Sequence, residues 1–200
     1  AACCYCACCN YLRAVATMST VTENIRVAVV GAGGRMGQML IEAIAAADDC
    51  VLHGAFDRAD SALLGSDASA FTGKPCGVLV SPDFAQGLAG AHALIDFTRP
   101  EGTLEHLAAC RKLGVNMVIG TTGFSEAQKA QIADAAKDIA IVMAPNMSVG
   151  VDVTFKLLEM AAKALSEGYD IEVIEAHHRH KVDAPSGTAL KTGEVIAEAL

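Results

Sequence analysis

The sequence has no tryptophan, few aromatic residues of any kind (4%) and no excess of basic charge. Its apolar residues make up 52% of the chain and are mostly Ala, Val, Ile and Leu, which is typical of buried parallel strands covered by Ala-rich helices. That content is sufficient for a buried core and argues against disorder. With 15 Lys and Arg against 23 Asp and Glu, the formal net charge of −8 argues against a nucleic-acid partner. No apolar run approaches the roughly 20 residues that cross a bilayer, so no membrane-spanning helix is expected.

A disulfide framework or a metal site is not expected either, although the chain contains eight cysteines. Five of them fall within residues 3–9, and no His or second Cys pair follows at ligand spacing. The other three stand alone in apolar contexts, and we interpret them as reduced, buried residues of a cytoplasmic protein: Cys50, Cys76 and Cys110.

The Cys-rich segment lacks the basic start and the continuous apolar stretch of a secretory signal. A transit peptide stays open in principle, since residues 1–17 contain Arg13 and no acid, but Ser is absent. We therefore interpret residues 1–17 as a non-native or disordered leader and Met18 as the natural start.

From residue 25 onward, short β-branched apolar runs alternate with segments of helical periodicity. Strands are predicted over 25–30, 51–56, 78–80, 91–97, 115–119 and 139–143. Helices are predicted over 36–47, 82–88, 103–113 and from 126 to about 137, the last with Ser125 and Gln128 as a capping box, and residues 58–77 are predicted as a loop. This alternation indicates right-handed βαβ units and hence an α/β fold with a Rossmann-type parallel sheet.

The pattern changes after residue 146. A helix over 149–165, a strand over 169–176 and a helix over 188–200 predict a C-terminal α+β substrate domain, truncated because no Gly, Asn or Pro closes the last helix. We therefore divide the chain into the leader, a dinucleotide-binding Rossmann domain at 18–147 and a partial substrate-binding and oligomerisation domain at 148–200.

A glycine-rich turn lies between the first strand and the first helix. The run GAGGRMG at 31–37 fits G-x-x-G-x-x-G through Gly31, Gly34 and Gly37, although not the strict G-x-G-x-x-G spacing. Glycines there permit a tight turn and let a pyrophosphate approach the backbone at the positive end of a helix. The motif alone is weak, but its position between a strand and a helix favours a dinucleotide site.

Charged residues close the second predicted strand. Asp57, twenty positions beyond Gly37, is placed to hold adenine ribose hydroxyls, and Arg58 to pair with a 2′-phosphate. Both NADH and NADPH are therefore candidate cofactors. The alternative is that the two are ordinary turn charges.

Two further strand ends support a cofactor site. Residues 97–100 and 120–123 follow strands at the edge where ligands bind in open α/β sheets, and their hydroxyls and glycines suit a nicotinamide ribose and carboxamide. The alternative is two β–α turns with helix caps, at Thr98 and Ser125.

A basic cluster stands out in this acidic chain. His177, His178 and His180 lie with Arg179 and Lys181 directly before a Pro-Ser-Gly-Thr turn that opens a helix. Donors at that helix terminus suit a substrate with carboxylates, and histidine or lysine can transfer protons near neutral pH. In an extended conformation His177, Arg179 and Lys181 would share one face. A solvated charged face and a metal site are the alternatives, and the neighbouring Lys and Arg disfavour the metal.

Several runs together resemble the dihydrodipicolinate reductase family. They are EAHHRHKVDAPSGTAL at 175–190, GAGGRMG at 31–37, DFTRPEGTL at 96–104 and VIGTTGF at 118–124, and the resemblance covers roughly residues 24–200. It implies a Rossmann domain, a substrate domain that also makes a homotetramer, and NAD(P)H-dependent reduction of 4-hydroxy-tetrahydrodipicolinate to tetrahydrodipicolinate in lysine biosynthesis.

The resemblance also implies residue roles. His177 would be the catalytic acid or base and Lys181 the proton donor, although neighbouring groups of this kind titrate as a coupled set. The substrate carboxylates would be bound by His178, Ser186, Gly187 and Thr188. The cofactor would be lined by Gly31, Ala32, Gly33, Gly34, Arg35, Met36, Asp57, Arg58, Gly120, Thr121, Thr122, Ala144, Pro145, Asn146 and Met147.

The chain departs from the family pattern at both ends. The leader has no counterpart, and the chain stops before the rest of the substrate domain, so we expect it to bind cofactor while failing to assemble or turn over.

Two rival functions remain. One is a related imine or semialdehyde dehydrogenase, which has no reason to share the whole run 177–188. The other is a non-catalytic dinucleotide sensor, which would not depend on His177 or Lys181. A structural module leaves both the glycine run and the basic run unexplained.

Overall fold

The structure is a computed structural model that describes residues 24–179, 181 and 184–200. The interpretation of residues 1–17 as a leader, the start at Met18 and the role of His180 lie outside the described residues. The described chain divides into two compact units, one ending at Met143 and the other running from Ala144 to Leu200.

The first unit is a six-stranded sheet in the order β3-β2-β1-β4-β5-β6 with every ladder parallel. Its strands are β1 (Ile25–Val30), β2 (Cys50–Phe56), β3 (Val80–Ser81), β4 (Ala93–Asp96), β5 (Asn116–Ile119) and β6 (Ile141–Met143). Its helices are α1 (Arg35–Ala45), α2 (Phe84–Gly87), α3 (Pro100–Leu113) and α4 (Glu126–Ala135), with one 3₁₀ turn at Ala70–Thr72. The predicted Rossmann-type parallel sheet is confirmed.

Strand β1 is the centre of this sheet. Val27, Ala28 and Val29 are fully buried because β1 pairs with β2 on one side and β4 on the other and is covered on both faces. The strand order changes direction between β1 and β4, and the crevice outside the carboxyl ends of strands at such a point is the usual ligand site of this architecture.

The helices follow their sequence signals with small differences. Helix α1 buries Leu40, Ile41 and Ile44 on one face, whereas Met39 is 62% exposed. Helix α3 begins at Pro100, earlier than predicted, because proline suits the first helical position, where the N–H would have no partner. The capping box of α4 is confirmed by mutual hydrogen bonds between Ser125 and Gln128.

The three cysteines of the described chain differ in exposure. Cys50 and Cys110 are buried as predicted, and burial, assisted by the charge of Asp96, raises the pKa of Cys110 to about 12. The predicted burial of Cys76 is wrong, because Cys76 lies in the surface loop that precedes β3.

That loop is organised by the carboxylate of Asp67. It accepts hydrogen bonds from the backbone N–H groups of Ser69, Cys76 and Gly77 at 2.9, 3.1 and 2.7 Å. Desolvation raises the pKa of Asp67, but these bonds outweigh it and hold the pKa at about 2. One ionised side chain therefore substitutes for regular secondary structure in this segment.

We expect Asp67→Asn to lower the free energy of unfolding at pH 7, and the difference from the wild type to shrink as the pH falls. The folded-state pKa of Asp67 lies below its ordinary value, so its stabilisation is present above about pH 4 and is lost as the pH falls towards 2. Urea unfolding at pH 7, 4 and 3 measures this. Asp60→Asn is the control, because Asp60 makes only an exposed ion pair with Arg58. A difference independent of pH would contradict the prediction.

The second unit contains two helices, α5 (Val149–Ala164) and α6 (Gly187–Ala199), which pack against each other. The predicted strand at 169–176 is wrong: the segment has no strand partner in the part of the chain that the structure describes, and Ile174 is 88% exposed. β-branched composition favours a strand only where a neighbouring strand pairs with it. No helix among the described residues is long and apolar enough to cross a membrane.

Candidate active site

The glycine run forms a tight turn between β1 and α1. Gly31 has a φ of +68°, and the N–H of Gly34 donates to its carbonyl oxygen at 2.9 Å. A Cβ on Gly37 would lie 2.1 Å from the same carbonyl oxygen, so α1 packs on the turn as closely as a glycine allows. The first N–H groups of a helix have no intrahelical acceptor, and the first turn of α1 carries no acidic residue. The turn fits a pyrophosphate.

Asp57 lies directly beside this turn. Its Oδ2 accepts hydrogen bonds from the N–H of Gly33 at 3.0 Å and the hydroxyl of Ser61 at 3.1 Å. A Cβ on Gly33 would lie 2.6 Å from that oxygen, so glycine is required for the contact. Arg58 is exposed and pairs with Asp60 at 3.5 Å. The structure thus brings together the glycine turn and the acidic strand end that the spacing singled out.

The ends of β4 and β5 are joined through a buried carboxylate. Asp96 Oδ1 accepts hydrogen bonds from the Thr98 N–H at 2.8 Å, the Thr98 hydroxyl at 2.7 Å and the Thr121 hydroxyl at 3.4 Å. Both hydroxyls therefore point into the protein, and the expectation that hydroxyls of these loops face a ligand is wrong for Thr98 and Thr121. Thr98 is not a helix cap either, because the residue that caps α3 is Arg99.

Asp96 also pairs with a histidine of α3. His106 Nδ1 donates to Asp96 Oδ2 at 2.7 Å, and the carboxylate is completely buried. Burial raises the pKa of Asp96, but hydrogen bonds from His106 and Thr98 prevail and hold the pKa below its ordinary value. Sequence reasoning missed both residues, although a carboxylate that closes an apolar strand was an available signal.

Gly120 has a packing reason to be glycine. A Cβ there would lie 2.0 Å from the ring of Phe97, so the loops after β4 and β5 are in direct contact. Gly120 and Thr121 belong to the predicted cofactor-lining set, and both follow β5 at the carboxyl edge of the sheet, where the glycine turn follows β1.

In the second unit, the predicted cofactor segment meets the predicted substrate segment. Asn146 Oδ1 accepts from the Ser148 N–H at 2.8 Å, and Asn146 Nδ2 donates to the Thr188 hydroxyl at 3.3 Å. Met147 is buried. Residues 144–147 and the start of α6 therefore lie side by side.

Glu175 joins the basic cluster to the start of α6. Both of its carboxylate oxygens accept from the Ser186 N–H, at 2.9 and 3.2 Å, and Oε2 lies 3.4 Å from His177 Nδ1. Ser186 is buried and caps α6 by accepting from the Ala189 N–H at 3.1 Å. The Ser186 bonds, then the charges of His177 and Lys181, lower the pKa of Glu175. Spacing alone had not identified Glu175.

The extended conformation that would give the basic cluster alternating faces does not continue through it. The Lys181 N–H donates to the His178 carbonyl oxygen at 3.1 Å, which closes a turn and ends the extended conformation. His177 is half-exposed beside Glu175. Within residues 24–179, 181 and 184–200, no group of three His, Cys, Asp or Glu side chains is arranged to hold a metal.

We expect Glu175→Ala to expose the Ser186 amide to exchange, and Glu175→Gln to retain most of its protection. The glutamine keeps an amide oxygen that accepts the Ser186 N–H, whereas alanine leaves that donor without its acceptor. Hydrogen exchange of the segment 184–190 should be about tenfold faster in the alanine variant. Glu172→Ala is the control, because Glu172 is an exposed glutamate three positions before Glu175. Equal protection in the alanine variant and the wild type would contradict this role.

The strand order, the glycine turn at the switch in that order and the acid at the end of β2 define the class of Rossmann-type α/β domains. The comparisons with known proteins identify the particular family. The family model described as "Dihydrodipicolinate reductase, N-terminus" matches residues 25–147, and "Dihydrodipicolinate reductase, C-terminus" matches residues 150–200. The chain belongs to the dihydrodipicolinate reductase family, which confirms the resemblance inferred from its motifs.

Individual relatives agree with this assignment. The chain is 67% identical over 178 residues to the 4-hydroxy-tetrahydrodipicolinate reductase of Janthinobacterium sp. (strain Marseille), and 66% identical to that of Herminiimonas arsenicoxydans. Each match covers 89% of this chain and 66% of the relative, so the chain spans about two thirds of their length. A solved structure, the dipicolinate-bound dihydrodipicolinate reductase from Paenisporosarcina sp. TG-14, matches with a TM-score of 0.70 and 33% identity over 88% of this chain and 66% of that one.

Proposed function

We propose that this chain carries the cofactor site and the catalytic residues of an NAD(P)H-dependent 4-hydroxy-tetrahydrodipicolinate reductase, which acts in the diaminopimelate route of lysine biosynthesis. The observation that carries the proposal is the arrangement of His177, Glu175 and Ser186 at the start of α6. It puts a proton-transferring side chain next to a helix terminus suited to carboxylates, in a chain two thirds identical to enzymes of that name.

The nicotinamide cofactor is held by the carboxyl edge of the first unit. Backbone donors of the turn at 31–36 bind the pyrophosphate, and Asp57 and Arg58 face the adenosine ribose. Gly120, Thr121 and Thr122 border the nicotinamide end, and residues 144–147 complete the set. When bound, the cofactor supplies a hydride. Whether NADH or NADPH is preferred depends on Arg58, whose exposed guanidinium pairs with Asp60 at 3.5 Å and would pair with the 2′-phosphate of NADPH.

The substrate is held by its carboxylates. The N–H groups of Gly187 and Thr188 open α6, where the helix dipole is positive, and Ser186, His178 and the Thr188 hydroxyl add polar contacts. The dipicolinate bound by the Paenisporosarcina relative is a dicarboxylate of the same kind.

His177 and Lys181 transfer the protons of the reaction. Loss of the substrate hydroxyl as water leaves a conjugated imine, and hydride addition to that imine leaves an electron pair that takes up one proton. The products are tetrahydrodipicolinate, the oxidised cofactor and water. Glu175 Oε2 lies 3.4 Å from His177 Nδ1 and so orients the imidazole ring. His177 and Lys181 lie four positions apart in the sequence, and the charges of both act on Glu175.

A homotetramer of the full-length protein and a cytoplasmic location complete the proposal. The tetramer rests on the family resemblance, and the location on the interpretation of the single cysteines as reduced residues. Size-exclusion chromatography with light scattering on the chain at micromolar concentration measures the assembly.

The test of function is oxidation of NADH and NADPH in the presence of enzymatically generated 4-hydroxy-tetrahydrodipicolinate. Two proteins are compared: this chain, and a chimera that adds the final third of the Janthinobacterium relative. Turnover that requires the hydroxylated substrate supports the reductase, and turnover by the chimera alone assigns the missing step to the added segment. Cofactor binding without turnover in either protein overturns the reductase in favour of a dinucleotide sensor. Turnover only with another imine or semialdehyde identifies a related dehydrogenase.

A further inference from the structure

The most constrained polar cluster of the described chain centres on Asp96. Its carboxylate is completely buried and accepts four hydrogen bonds, from Thr98 (two), Thr121 and His106. Thr103, also completely buried, donates its hydroxyl to the Thr121 hydroxyl at 2.9 Å. Oδ1 accepts three of these bonds and Oδ2 accepts the fourth, so both carboxylate oxygens are engaged.

The cluster joins separate parts of the chain at one edge of the sheet. Asp96 closes β4, Thr98 lies in the loop after β4, Thr121 lies in the loop after β5, and His106 and Thr103 are on α3. Burial of a carboxylate is costly unless donors surround it, and every neighbour here is a donor. The buried carboxylate of Asp96 therefore fixes the orientation of the loop after β4 and of the loop after β5.

Thr98 places its methyl group, and not its hydroxyl, beside the glycine turn. Its hydroxyl donates to Asp96, so its methyl group points the other way, and a Cβ on Gly31 would lie 3.2 Å from that methyl carbon. The hydroxyls of Thr98 and Thr121 are both engaged inside the protein. A ligand at this edge consequently meets the backbone of the two loops rather than these hydroxyls.

We propose that Asp96 is a positioning residue for the nicotinamide end of the cofactor site, acting through Thr98 and Thr121 on the loops after β4 and β5. The inference rests on the proposed function, since it presumes a nicotinamide cofactor at this edge. Asp96 does not contact the cofactor. It holds the two loops open for the ring, whereas the glycine turn and Asp57 hold the adenosine and pyrophosphate without it.

The test compares each reduced cofactor with the matching ligand that lacks the nicotinamide ring. Binding of NADH and NADPH is measured by fluorescence of the reduced ring, and binding of ADP-ribose and its 2′-phosphate by calorimetry. Asp96→Ala should raise the Kd for the reduced cofactor about tenfold, the loss expected for charge-assisted hydrogen bonds, and change the Kd for ADP-ribose less than about twofold. A merely structural role would weaken both ligands equally.

Two further variants keep the test decisive if Asp96→Ala does not fold. Asp96→Asn should recover part of the affinity, because its amide oxygen can accept from Thr98 while its NH₂ donates to the other tautomer of His106. Thr121→Val should weaken the reduced cofactor alone, and Thr121→Ser, which keeps the hydroxyl, should restore it. Unchanged cofactor affinity, or equal losses for both ligands, overturns the positioning role only. A wild-type chain that binds neither ligand overturns the proposed function as well.

Discussion

In a protein of this sequence that turns over, His177→Gln should reduce turnover by about 10²–10⁴, the usual contribution of a positioned acid or base. Glutamine keeps the size of the side chain and an N–H that can donate to Glu175, which lies 3.4 Å from His177 Nδ1. It removes only the ability to exchange a proton. Steady-state oxidation of NADPH and NADH by the chimera described above measures the loss.

Cofactor binding separates loss of proton transfer from loss of structure. The Kd for the reduced cofactor should stay within about twofold of the wild-type value, because His177 is outside the cofactor-lining set. His53→Gln is the matched control, since its ring bonds only the Ala89 carbonyl oxygen, at 2.9 Å, among the contacts described. If His177 and Lys181 share the proton transfer, Lys181→Ala should reduce turnover as His177→Gln does. Wild-type turnover in both variants would remove this pair from the mechanism.

The first unit could be predicted from sequence because its signals are local. Strand β1 is a continuous apolar run, since both of its faces are buried, and it is followed directly by the glycine turn. The meeting of Asp57 and Gly33 was also predictable, because the spacing of a known motif encodes it. The capping box at Ser125 has the same local origin.

The features that could not be predicted from the sequence depend on contacts between positions far apart in the chain. Residues 169–176 have the composition of a strand, but strand formation depends on a partner that composition does not specify. The inward orientation of Thr121 depends on Asp96, twenty-five positions earlier, and the orientation of Glu175 depends on Ser186, eleven positions later. Hydroxyl and carboxylate residues at strand ends can bind ligands or one another, and only the packing decides which.

Gly37→Ala should raise the Kd for both the reduced cofactor and ADP-ribose by about 5- to 150-fold, the equivalent of the 1–3 kcal/mol typical of overpacking. The new Cβ would lie 2.1 Å from the Gly31 carbonyl oxygen and 2.8 Å from the Ala32 Cα. Both are backbone atoms, so α1 and the turn must move apart, and the donors that face the pyrophosphate move with them. Fluorescence titration and calorimetry measure the two affinities.

Gly193→Ala is the control for this change, because Gly193 also lies within a helix but its Cβ would meet no atom within 4 Å. It should leave both affinities unchanged and favour helix α6 by about 1 kcal/mol. The loss in Gly37→Ala should extend to ADP-ribose, whereas the loss in Asp96→Ala should be confined to ligands with the nicotinamide ring. That contrast separates the two ends of the cofactor site. Wild-type affinity in Gly37→Ala would mean that the turn does not hold the pyrophosphate.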